Sequence, residues 1–226
     1  MQIVEFCAAS SPPVSALLFD LDNTLFDLES AFEACVMDFV RTQLPDLTQA
    51  EALAVAQTAL HRDPAGYGSK GESFAELSRR LPAWKLGAEE TKDHFRNLLL
   101  THIRLGLLAE KLLSDLASAG LPFGIVTNGS DRQLRKVDRL DLTGRAECVL
   151  VSGILGAAKP DPRIFLAGAA QLGAEPARIL FVGDNPLTDI GGAQSVGMRT
   201  CWIQRGQPWP QVDGLRPPDL TVESLA

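Results

Sequence analysis

Asp20-Leu21-Asp22-Asn23-Thr24 sets two carboxylates and a hydroxyl close together, directly after the apolar stretch 14–19. Thr127-Asn128-Gly129-Ser130 follows a second apolar run. Lys159-Pro160-Asp161-Pro162 lies just beyond a third, and Gly183-Asp184 ends a fourth, with Asp189 five residues further on. Carboxylates can act as nucleophiles, as general acids and bases, or as ligands of a hard cation. A threonine hydroxyl, a lysine ammonium and loop amides are groups that hold anions such as phosphate. Brought together, these acids would repel one another unless a cation joined them. A donor set of oxygens without sulfur favours Mg2+.

Such convergence requires elements that end at one place. Residues 14–24, 122–127, 148–152, 179–183 and 200–203 are short and apolar throughout, which fits strands buried on both faces. Helical stretches over 109–119, 131–140, 161–172 and 187–196 precede the later four in turn. Regular strand–helix alternation predicts an α/β fold, a doubly wound parallel sheet, whose ligands bind outside the carboxyl ends of the strands. All the residues named above fall at those ends. Residues 27–103 break the rhythm with four helical stretches, about 28–44, 49–61, 72–81 and 89–103. Pro45, Pro64 and Pro82 are among the breakers, and Phe32, Cys35, Phe39 and Val40 share one face of the first stretch. The expected organisation is an N-terminal tail over 1–13, an α/β core from 14–26 and 104–226, and an inserted all-helical cap over 27–103.

With 226 residues the chain is long enough to bury a core without staples. Its net charge of −7 and lack of a basic cluster argue against nucleic acid as a partner. Cys7, Cys35, Cys148 and Cys201 are far apart, and so are His61, His94 and His102. Neither a zinc site nor a disulfide framework is expected, and a reducing compartment is. No apolar run reaches the roughly 18 residues of a membrane span, and the opening residues lack the marks of a signal peptide. The expectation is a cytoplasmic protein with no membrane partner, acting as a monomer or homodimer.

These motifs, in this order, resemble those of the haloacid dehalogenase-like (HAD) superfamily, subfamily I with a helical C1-type cap. The likeness covers residues 14 to about 205: Asp20–Thr24 matches DxDxT, Thr127 the second-motif hydroxyl, Lys159 the third-motif lysine, and Gly183–Asp189 the GDxxxxD motif. It implies a sheet ordered 5-4-1-2-3 with a hairpin flap and the cap entering after strand one. It also implies Asp20 as nucleophile, forming an aspartyl-phosphate, and Asp22 as the acid and base for leaving group and water. Asp20 and Asp184 would bind Mg2+ through their carboxylates and Asp22 through its carbonyl, with Asp189 behind the metal's waters. Thr127 and the amides of Asn128 and Gly129 would hold phosphoryl oxygens, and Lys159 would offset their charge.

Other uses of the same residues stay open. Asp189 could touch the metal directly or cap a helix, Asp161 fits a cap better than chemistry, and Lys159 could be a solvated loop lysine. Tyr67 and Lys70, in a glycine-rich loop within the insertion, are candidates for reading the leaving group, against an ordinary exposed turn. The resulting expectation is a Mg2+-dependent hydrolase of a small-molecule phosphate monoester. A β-phosphoglucomutase-like transferase of the same family is the alternative, and a non-catalytic phosphate-binding member a further one. Family dehalogenases lack the second acid of the first motif, so Asp22 argues against that chemistry.

Overall fold

The computed structural model describes residues 2–61 and 87–225. It separates into two compact units, Met1–Asp27 with Arg104–Ala226, and Leu28–Ile103. In chain order the elements begin with α1 (Gln2–Ala9), β1 (Ala16–Phe19), α2 (Leu28–Gln43), α3 (Gln49–His61) and α4 (Ala88–His102). They continue with α5 (Leu107–Ser118), β2 (Phe123–Thr127), α6 (Arg132–Arg139), β3 (Cys148–Val151), α7 (Ser152–Leu155) and α8 (Pro162–Gln171). After β4 (Ile179–Gly183) come a π-helical turn over Pro186–Gly191, α9 (Gly192–Ser195), β5 (Arg199–Ile203) and β6 (Leu220–Val222).

The first unit is built on one sheet ordered β3-β2-β1-β4-β5-β6, with every adjacent pair parallel. This is the expected 5-4-1-2-3 order with β6 added at the edge. β1, β2 and β4 are buried along their whole length, as strands covered on both faces must be. On one face Leu18, Val126, Leu150 and Phe181 pack against Ile164, Phe165 and Ala169 of α8 and Ala193 of α9. Phe165 meets Phe181 edge to face, with ring centroids 5.0 Å apart. Register aligns the strand ends: Phe19 lies between Ile125 of β2 and Val182 of β4, and the Asp20 N–H donates to the Val182 carbonyl at 2.9 Å. The ends of β1, β2 and β4 are thereby set side by side.

Local chemistry places the helix starts. Asp161 accepts from the Arg163 N–H at 2.9 Å, with Pro162 as the first helical residue of α8. In the second unit, Thr48 and Glu51 satisfy each other's backbone N–H groups before α3. The apolar face of α2 packs Phe32, Cys35, Val36 and Phe39 with Phe95 of α4 and Ala52 and Ala56 of α3. The fourth expected helical stretch, 72–81, lies outside the described residues.

Three features differ from expectation. The first 13 residues carry α1, whose Ile3 and Cys7, four apart on one face, are buried. The flap after β1 is a single bridge between Asp22 and Phe26 around a turn rather than a hairpin of strands. The helix expected over 187–196 is split, its first part wound as the π turn because Asn185 O accepts from both Asp189 N and Ile190 N.

Candidate active site

Asp20 leaves the central strand β1 and is buried, 7% exposed. Its Oδ1 lies 2.5 Å from the Lys159 ammonium, itself 4% exposed. Lys159 also pairs with Asp189 Oδ1 at 2.7 Å, so one buried cation joins the first and last motifs. Lys159 is held from behind by Asn128, whose side chain accepts from the Lys159 N–H at 2.8 Å and donates to its carbonyl at 3.0 Å. That reciprocal pair ties the loop after β2 to the loop after β3.

Asp189 is delivered by the π turn. Its Oδ2 accepts from the Asn185 N–H at 3.0 Å, while Asn185 Oδ1 caps the turn through Leu187 N and Thr188 N. The helix-capping role thus belongs to Asn185, and Asp189 faces inward. Gly183 makes the approach possible, because a Cβ there would stand 2.5 Å from Asp189 Oδ2. Trp202 of β5 donates its indole N–H to the Asp184 carbonyl at 2.8 Å and so steadies the end of β4.

The loop after β2 is shaped by Gly129, at φ +149°, where a Cβ would strike Gln133. Its N–H donates to Ser152 Oγ at 2.9 Å and its carbonyl accepts from Gly153 N at 2.8 Å, so this amide is committed inside the protein. In this structure the Gly129 amide thus shapes the loop that follows Thr127. Gln133 of α6, also buried, donates from one amide group to Thr127 Oγ1 at 2.6 Å and Asp22 Oδ2 at 3.0 Å. Lys136, one helical turn further, meets Asp22 at Oδ1 (2.7 Å) and Oδ2 (2.8 Å).

Asp20, Asp184 and Asp189 each offer a carboxylate oxygen, and these oxygens lie within 4.8 Å of one another. Burial raises the Asp20 carboxyl to about 7, against the pull of Lys159 and with repulsion from Asp189 and Asp22 added. Burial likewise raises Asp184 to about 8, reinforced by Asp189 and Asp20. For Lys159 burial disfavours charge, but Asp189 and Asp20 outweigh it and hold the ammonium well above its usual range. Asp189 Oδ1 has this ionic neighbour but no well-aligned hydrogen-bond donor. Clustered buried carboxylates and an oxygen-only donor set together fit a divalent cation.

Of the residues singled out by sequence, Asp20, Lys159, Asp184 and Asp189 are brought together. Thr127 and Asp22 are joined through Gln133, and Asn128 acts on the Lys159 backbone. Tyr67 and Lys70 lie outside the described residues. Gln133, Lys136, Ser152 and Trp202 were not foreseen. A signal exists for Gln133 and Lys136, which stand three apart on the helix that follows the Thr127 loop. Trp202 and Ser152 carry none beyond lying at strand ends.

A family model for haloacid dehalogenase-like hydrolases matches residues 14–197. The glyceraldehyde 3-phosphate phosphatase of Pyrococcus furiosus is 31% identical over 208 residues, 86% of this chain and 82% of its own. The crystal structure of a HAD phosphatase from Thermococcus onnurineus is 26% identical, with a TM-score of 0.61 over 94% of each chain. That of a 2-haloacid dehalogenase from Pseudomonas syringae is 28% identical, with a TM-score of 0.59, covering 94% of this chain and 95% of its own. No described helix is long and apolar enough to cross a membrane.

Proposed function

The chain belongs to the haloacid dehalogenase-like hydrolases, and from that premise we propose that it hydrolyses a small-molecule phosphate monoester through an aspartyl-phosphate on Asp20. The observation that carries this reading is the Asp20–Lys159–Asp189 chain of ion pairs beside Asp184, at the sheet edge that also holds Thr127 and Asp22. Phosphatase relatives support it, and Asp22 separates it from the dehalogenases, which the resemblance gives no second acid at this position.

In the first step a carboxylate oxygen of Asp20 bonds to phosphorus, the bond from phosphorus to the leaving oxygen breaks, and that oxygen takes a proton from Asp22. In the second, Asp22 takes a proton from water, the water oxygen bonds to phosphorus, and the bond from Asp20 breaks to release inorganic phosphate. Thr127 accepts from Gln133, so its own hydroxyl proton is free to serve a phosphoryl oxygen, beside the Asn128 amide and Lys159. The cofactor we infer is Mg2+, which the carboxylates of Asp20 and Asp184 and the Asp22 carbonyl would hold, with Asp189 supporting them. Bound there, it would offset negative charge on the phosphoryl group and keep Asp20 ionised for attack. A reducing, cytoplasmic setting suits four free, buried cysteines.

Phosphate release from a panel of sugar phosphates, nucleotides, phosphoglycolate and acyl phosphates tests the reading. We expect release with Mg2+, loss with EDTA and loss in Asp20→Asn. Phosphoryl transfer between sugar hydroxyls without net release would turn the proposal into a phosphomutase. Release by Asp20→Asn at the unmodified rate would sink it.

A further inference from the structure

Asp22 is gripped more tightly than a proton carrier needs to be merely to stay in place. Lys136 reaches both of its oxygens, Gln133 reaches Oδ2, and the Phe26 ring lies 5.9 Å from the Lys136 ammonium. Both α6 side chains are shielded from water: Gln133 is buried, and the Lys136 side chain is 15% exposed. None of this belongs to the four motifs. Gln133 also reaches Thr127 Oγ1, so the same amide that orients the phosphate-binding hydroxyl orients Asp22.

We infer that Lys136 and Gln133 are positioning residues that fix which oxygen of Asp22 handles the proton. Each carboxylate oxygen has two acceptor sites. Oδ2 spends both, on Gln133 and Lys136, whereas Oδ1 spends one on Lys136. Oδ1 is therefore the oxygen with a site left to carry the mobile proton. It gives that proton to the leaving oxygen as the bond to phosphorus breaks, and regains one from the attacking water. The paired donors stop the carboxyl from rotating and aim Oδ1 at one place. This inference rests on Asp22 being the proton donor proposed above.

The test compares an alkyl phosphate, whose alkoxide must be protonated to leave, with p-nitrophenyl phosphate, whose phenolate leaves unaided. Both kcat and KM are measured for the unmodified protein, Asp22→Asn, Lys136→Met and Lys136→Arg, using the alkyl phosphate it turns over fastest. Because kcat/KM reports phosphoryl transfer to the enzyme, a lost proton donor must penalise the alkyl ester selectively. Each ratio of the two esters comes from one preparation, so partial misfolding cancels. We expect Lys136→Met to lower kcat/KM for the alkyl phosphate about tenfold or more beyond its effect on p-nitrophenyl phosphate. The loss should fall on kcat, Asp22→Asn should show the same selectivity more strongly, and Lys136→Arg should recover part.

Equal losses on both esters for Lys136→Met, with Asp22→Asn still selective, would overturn the positioning role and leave the proton donor intact. A loss confined to KM would do the same and place the ammonium on the substrate. If Asp22→Asn itself is unselective, the proton-donor reading fails and this inference with it. No turnover of any alkyl phosphate by the unmodified protein would overturn both.

Discussion

Gly183 and the Asn128 side chain perform their parts without touching a reacting atom. A methyl group at Gly183 would enter the space of the Asp189 carboxylate, whose Cγ would lie 2.7 Å away. Gly183→Ala should therefore cost about 1–3 kcal/mol of stability in urea denaturation and weaken Mg2+ binding measured by calorimetry. Binding as tight as in the unmodified protein would mean Asp189 is not coupled to the metal. Asn128 holds both the N–H and the carbonyl of Lys159. Asn128→Ala should lower kcat about tenfold or more with a smaller change in KM, because a lysine displaced by a fraction of an ångström misdirects Asp20. Asn128→Asp keeps an acceptor for the Lys159 N–H and should recover part, and an unchanged kcat in the alanine variant would remove Asn128 from this role. At this scale the sequence was legible wherever a group's chemistry is tied to a strand end, as with Asp20, Thr127 and Asp184. The φ of +60° at Asn23 is a left-handed turn conformation that asparagine tolerates. Gln133 and Lys136 offer only their spacing, three apart on the helix after the Thr127 loop, because a polar residue on a helix reads as solvent-facing until its neighbours across the fold are known.

The elements differ in how much of themselves they announce. The strands were legible because burial on both faces demands unbroken apolar runs, and α8 because Asp161-Pro162 is a helix start in itself. The π turn was hidden: Asn185-Pro186 correctly signals a start, but the extra residue per turn comes from Ile190 N joining Asp189 N on one carbonyl. That widening is what turns Asp189 toward Lys159. β6 is short, with Thr221 exposed, and carries no apolar run to find. Eight residues of α1 give too few turns for a period to stand out. Among the packed elements, α8 depends on Phe165, fully buried against Phe181 and close to Gly192. Phe165→Ala should destabilise the chain by about 3–5 kcal/mol, read as a shift in the urea midpoint at constant slope. A loss below 1 kcal/mol would show that the α8 face collapses to refill the space.

For the whole molecule, the clustered carboxylates make stability depend on pH in an unusual direction. Burial lifts the carboxyl of Asp20 to about 7 and that of Asp184 to about 8 in the folded chain, well above the ordinary carboxylate value of 3.8. A carboxyl with a raised folded pKa binds its proton more tightly in the folded state, so folding gains below that value and loses the gain as pH rises. The metal-free protein should therefore melt at progressively lower temperature from about pH 5 to pH 8, and saturating Mg2+ should reverse the trend by replacing the protons. A melting temperature that climbs with pH in EDTA would contradict the charge arrangement described here. The most direct test of the central claim is to trap the phosphoenzyme. The protein would be mixed with its best phosphate ester and Mg2+, quenched in acid within a turnover, digested and examined by mass spectrometry. We predict a phosphoryl group on the peptide carrying Asp20, absent from Asp20→Asn and from the EDTA control. A phosphoryl group mapped to any other residue, or rapid phosphate release with no adduct at the shortest quench times, would contradict Asp20 as the nucleophile.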